Sequence, residues 1–89
     1  MKKLIIEVPE YSDSDGIKYN WIGDFTIKVS IEGNSIVICA NKDGLMSLSN
    51  HFANLAQDEV PINSHLHFDE YNSLEVGSLD LVIQKIIEK

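Results

Sequence analysis

His65, His67 and Asp69 recur at every second position of the sequence, and their side chains have metal-binding chemistry. On an extended strand successive side chains alternate in direction, so this spacing places all three on one outward face. Imidazole and carboxylate suit zinc or a related ion, and three protein ligands leave a fourth position open for water. The same alternation arises on any solvated sheet face, and positions i and i+2 lie about 7 Å apart along a strand, so sharing one small ion demands particular rotamers. A metal-binding or enzymatic domain built on this His-x-His-x-Asp strand is therefore the alternative reading, and neither a metal ligand nor a cofactor is assigned.

Other groups with reactive chemistry lack a setting for it. Cys39 is the sole cysteine, so no intrachain disulfide forms, and a reducing compartment is expected. It lies in the apolar run Ser-Ile-Val-Ile-Cys-Ala with no cation adjacent in sequence to lower its pKa, which predicts a buried, inert thiol. His51, His65 or His67 would have to serve as its base. There is no Gly-x-Ser-x-Gly elbow and no phosphate-binding glycine loop, so no catalytic residue is assigned. Asp13, Asp15 and Gly16 are similar to a fragment of a calcium loop, but the regular ligand series and its terminal glutamate are missing, and an ordinary acidic turn is expected.

Composition narrows the partners. The 89 residues carry 14 acidic side chains against 7 lysines, with no arginine, for a formal charge of -7. Such a chain is repelled by nucleic acid and by anionic membranes, and neither is expected as a partner. Between residues 58 and 80 Asp58, Glu59, Asp69, Glu70, Glu75 and Asp80 occur without a lysine. That stretch is either a solvated face or a surface for a basic protein. Hydrophobic residues make up 44% of the chain, enough for one core, and the length predicts a single domain over residues 1–89. The N-terminal apolar run breaks at Glu7 and Pro9, too short for a signal-peptide core or a membrane span, so a cytoplasmic location is expected.

The elements that must position these residues can be read from periodicity. Residues 3–8 predict a first strand ended by Pro9. Residues 10–23 have loop composition but include Tyr11, Tyr19, Trp21 and Ile22, whose apolar bulk must pack somewhere. Phe25, Ile27, Val29 and Ile31 alternate with polar residues, and Gly33-Asn34 then separates them from residues 35–40. That pattern predicts a hairpin with Ile31 opposite Ile36 and Val29 opposite Ile38. Asn41 or Asp43 caps a helix running to about Gln57, with Leu45, Leu48, Phe52, Leu55 and Ala56 on its apolar stripe and Asn50, His51 and Gln57 outside or at its edge. Residues 64–69 alternate again, with Leu66 and Phe68 inward. Residues 78–88 fit a helix or a strand, and β-branched content together with the match of Leu79, Leu81 and Ile83 to Leu66 and Phe68 favours a strand. The expected fold is α+β: an antiparallel sheet of about five strands (β-β-β-α-β-β) with one helix packed on one face.

Leu48 to Ala56, Val60-Pro61, His65 to Asp69 and Gly77 to Ile83 together resemble small bacterial immunity proteins of polymorphic toxin systems, over roughly residues 35–89. The resemblance implies a small α+β protein, encoded beside a secreted toxin, that neutralises the toxin by binding it in the producing cell. It transfers no toxin-contacting residue to a position here. The resulting expectation is a non-catalytic protein-binding domain whose partner is a basic toxin. Contacts are expected from Asp58, Glu59, His65, His67, Asp69, Glu70, Tyr71 and Glu75. Trp21 is a further contact candidate, although a lone tryptophan more often closes a core. Self-association into a homodimer through an exposed sheet edge is a further expectation.

Overall fold

Alternation over residues 27–40 produces a hairpin. The computed structural model describes residues 1–87, and in it β1 (Ile27–Glu32) pairs antiparallel with β2 (Ser35–Ala40) across Gly33-Asn34. The register sets Ile31 against Ile36 and Val29 against Ile38, as the two-residue loop requires. Gly33 adopts φ 60°, a left-handed conformation that a side chain would oppose. Ile27 and Val29 are buried on the face that meets the core.

The helix α1 (Lys42–Leu55) follows directly. Asn41 is its N-cap: the side-chain oxygen accepts from the amides of Gly44 at 2.7 Å and Thr26 at 3.0 Å, which ties the helix start to the hairpin. Gly44 lets the helix approach closely, since a Cβ there would lie 2.5 Å from the Thr26 carbonyl oxygen and 3.0 Å from both Ala40 and Ile27 side chains.

Of the five residues expected on the apolar stripe only two are buried, and Ala56 at its end is exposed. Leu48 and Leu55 are buried, but Leu45 and Phe52 are 55% and 52% exposed, and the rest of the buried face is polar: Ser47, Asn50, His51 and Asn54 are fully enclosed. The polar burial has a physical reason. Besides the rings of Tyr19, Trp21 and Phe68 that surround His51, this face meets the backbone of residues 7–22, and buried backbone groups need partners. The Ser47 Oγ accepts from the Ile22 amide at 2.8 Å, His51 Nε2 accepts from the Asn20 amide at 3.2 Å, and Asn54 Nδ2 donates to the Lys18 carbonyl at 2.7 Å. Gln57 grips both Pro9 and Tyr11 backbone groups, and Asn50 Nδ2 donates to Glu7. The loop thus lies in two arms along the helix. Trp21 packs against the core, where it stacks on Phe25 at 4.4 Å between centroids and meets Phe68 edge-on at 5.6 Å, while Tyr19 stays 45% exposed. The segment 3–8 is not a strand: it has no ladder partner, and the chain is held to the helix instead, through Asn50 at the Glu7 carbonyl and Gln57 at the following Pro9 carbonyl.

A second hairpin closes the molecule. β3 (His65–Phe68) pairs antiparallel with β4 (Leu81–Gln84), with Leu66 opposite Ile83 and Phe68 opposite Leu81. Leu66 and Phe68 are buried, as alternation predicts. The C-terminal segment is a strand over 81–84 only, and residue 88 of the expected span lies outside the described residues. The five-stranded sheet is replaced by two two-stranded ladders within an α+β fold. What separates them is the segment 75–79. It lies along the outer edge of β1, where the Glu75 and Leu79 amides donate to the Ile27 and Val29 carbonyls at 2.9 Å, but it turns at Gly77 (φ 87°) instead of forming a continuous strand. No helix among the described residues is long and apolar enough to cross a membrane.

Candidate functional site

The outward side of the β3–β4 ladder carries His65 and His67 beside Val82 and Gln84. Asp69 lies just past the end of β3, and a short acidic turn follows. There the Asp69 Oδ1 accepts from the Tyr71 amide at 2.9 Å and the Asn72 amide at 3.0 Å, so its carboxylate organises the turn and does not join the two histidines. Among the described residues no three His, Cys, Asp or Glu side chains converge as a metal-holding group. The His-x-His-x-Asp spacing is thus divided: two histidines on the ladder face and an aspartate in a turn.

This turn raises Tyr71 into solvent, the residue 90% exposed, and rings it with carboxylates. Hydrogen bonding to and the charge of Glu70 push the Tyr71 phenol above its ordinary pKa, with smaller contributions from desolvation, Asp69 and Asp80. The phenol therefore stays protonated. Glu70 is itself held, its Oε2 accepting from the Gly77 amide at 2.7 Å, which locks the 69–74 turn to the 75–78 turn. Asp80 pairs with His67 at 3.2 Å, both side chains largely in solvent. His67, Asp69, Glu70, Tyr71 and Asp80 consequently form one continuous patch at the Phe68–Leu81 end of the ladder.

The remaining sequence candidates lie elsewhere. Asp58 and Glu59 are exposed in the turn after α1, at the opposite end of the ladder, where the Lys85 ammonium donates to the Gln57 and Val60 carbonyls. The four-residue ladder separates the two ends by about 10 Å or more. Glu75 faces the hairpin side, lining a hollow with Lys28 and Cys39. Trp21 is half-buried among Phe25, Phe68 and His51, a core position. Cys39, expected to be buried, is exposed: the register places it across from Lys28 on the outer face of the hairpin, which the core does not cover. Asp13 to Gly16 form a turn closed by Gly16 donating to the Ser12 carbonyl at 2.8 Å, with Asp15 paired to Lys18.

Sequence reasoning missed His51. It is fully enclosed, with Nδ1–H donating to the Ser47 carbonyl at 2.7 Å and Nε2 accepting from Asn20, an arrangement that requires the neutral imidazole. Burial lowers its pKa, opposed by the Ser47 hydrogen bond. The signal that could have found it is Ser47, Asn50, His51 and Asn54 at positions i, i+3, i+4 and i+7, a helical period written in polar residues.

Comparison with curated proteins and with solved structures returned no match. A family model does match, covering residues 35–86, which span β2, α1, the ladder and the Tyr71 turn. The chain belongs to the family described as Immunity protein 32.

Proposed function

We propose that this chain neutralises a cognate bacterial toxin by direct, stoichiometric and non-catalytic binding in the cytoplasm of the producing cell. Membership of an immunity-protein family supports the toxin-neutralising role. The observation that carries the contact surface is Tyr71, an almost wholly exposed aromatic ringed by Glu70, Asp69 and Asp80. Tyrosine is a frequent interface anchor because it brings a large apolar ring and a donor with few rotamers to order. Carboxylates around it attract a basic toxin surface and steer its approach.

In this reading His65 and His67 extend the contact along the ladder towards Asp58 and Glu59, Glu75 flanks it on the hairpin side, and Trp21 acts from within by supporting the ladder. The direct experiment uses the toxin domain encoded by the adjacent gene. Binding measured by calorimetry is expected at one to one, weakening as salt rises, and weakened further by charge reversal at Asp80 or at Asp58 and Glu59. Binding insensitive both to salt and to these reversals would refute the electrostatic contact.

A further inference from the structure

Each outer edge of a ladder is a row of backbone donors and acceptors that must be paired, covered or wetted. A two-residue loop makes Glu32–Ser35 a hydrogen-bonded pair, so residues 35, 37 and 39 turn their backbone groups towards β1 while Ile36, Ile38 and Ala40 turn theirs outward. β1 has the same parity, and its outward groups at Ile27 and Val29 are covered by Glu75, Ser78 and Leu79. The edge of β3 is covered at His67 by the Tyr19 hydroxyl and by Asn72 Nδ2. The open edge of β4 is short and lies between Asp80 and Lys85. Among the described residues the outward groups of Ile36 and Ile38 have no protein partner.

β2 also lacks the usual guards of an edge. Its six residues, Ser-Ile-Val-Ile-Cys-Ala, include no charge, proline or glycine, and they pair with β1 without a bulge. Beside this edge the apolar side of the hairpin outruns the core, leaving Ile31, Ile36 and Ile38 59%, 63% and 41% exposed.

The geometry points to a second copy of this chain as the occupant: β2 pairs antiparallel with β2 of the partner copy across a two-fold axis, making one four-stranded sheet. Only registers that oppose outward residues satisfy the backbone, and the one centred on Ile38 engages all three of them. It sets Ile38 against Ile38, Ile36 against Ala40, Val37 against Cys39 and Ser35 against Asn41. No charged side chain lies in that contact, which matters for copies that each carry a formal charge of -7. Glu32 beside Ser35 and Lys42 after Asn41 come to the same end of the sheet from opposite copies, an attractive pairing made twice by symmetry. Three partly exposed isoleucines and one ladder cover less than the roughly 800 Å² per partner of a standard stable interface, so the association is reversible and depends on concentration. This inference does not rest on the toxin reading, because the Tyr71 patch lies on the other ladder.

Sedimentation velocity of the full chain over a concentration series tests it. A monomer–dimer equilibrium is expected, with Ile38→Lys raising the dissociation constant roughly tenfold or more while the circular dichroism and melting temperature stay near wild type. Val37→Cys fixes the register. Its Cα should lie about 4.5 Å from that of Cys39 on the other copy, within disulfide range, so mild oxidation should give two intermolecular bonds, each joining the introduced thiol to Cys39. A chain monomeric at every concentration, a dimer indifferent to Ile38→Lys, or cross-links through any other pairing would overturn the proposal. Loss of toxin binding in Ile38→Lys, with a monomeric wild type, would assign the edge to a toxin strand and overturn it equally.

Discussion

At Tyr71 and His51 the same fold treats two ring side chains in opposite ways. That Tyr71 stands exposed among carboxylates follows from an acidic stretch without lysine, interrupted by a tyrosine, which is a compositional signal. His51 was missed, because a polar residue on a helix is ordinarily solvated. Its consequence is a pH dependence of stability. The native state holds His51 below its ordinary pKa, so the unfolded chain binds more protons in that range. The stability this contributes is complete above the unfolded value of about 6.5 and is lost as pH falls through the lower native value. Denaturant melts between pH 7.5 and pH 5 are expected to show falling stability. His51→Leu should remove that part of the slope while costing about 1–3 kcal/mol at neutral pH, through the orphaned Asn20 amide. An unchanged slope in the variant would show that other groups carry it.

At the scale of elements, both ladders were legible because period-two alternation fixes which residues face inward, and in the first a two-residue turn also fixes the register. The single sheet was not, because whether two hairpins join depends on segment 75–79, whose turn at Gly77 is a local conformational matter that alternation does not report. The helix stripe was misread for a different reason. Apolar spacing nominated Leu45 and Phe52, whereas the surface facing α1 presents backbone groups at Glu7, Lys18, Asn20 and Ile22 that need partners, which selects asparagine, serine and histidine. Asn54→Leu is therefore expected to destabilise the protein by about 1–3 kcal/mol despite its greater hydrophobicity, because the Lys18 carbonyl loses its donor. Gly44→Ala should likewise lower the melting temperature, although alanine favours an isolated helix by about 1 kcal/mol over glycine, since the new Cβ meets the Thr26 carbonyl. A variant of either kind as stable as wild type would mean that the helix sits further from its neighbours than described.

For the whole molecule, net charge argues against some partners more than it names one. An excess of acid directs a protein away from nucleic acid and towards basic surfaces, but only the folded chain separates the Tyr71 end of the ladder from the Asp58–Glu59 end. The family assignment supports a toxin as the class of partner, and the exposed aromatic within the acidic turn is the contact we propose. These meet in one measurement: titration of the adjacent-gene toxin's activity with wild-type protein and with Tyr71→Ala. The account predicts complete inhibition by wild type at one equivalent and a variant that folds normally but binds with a dissociation constant raised about thirtyfold, equivalent to about 2 kcal/mol. Inhibition by Tyr71→Ala at the wild-type concentration would contradict it.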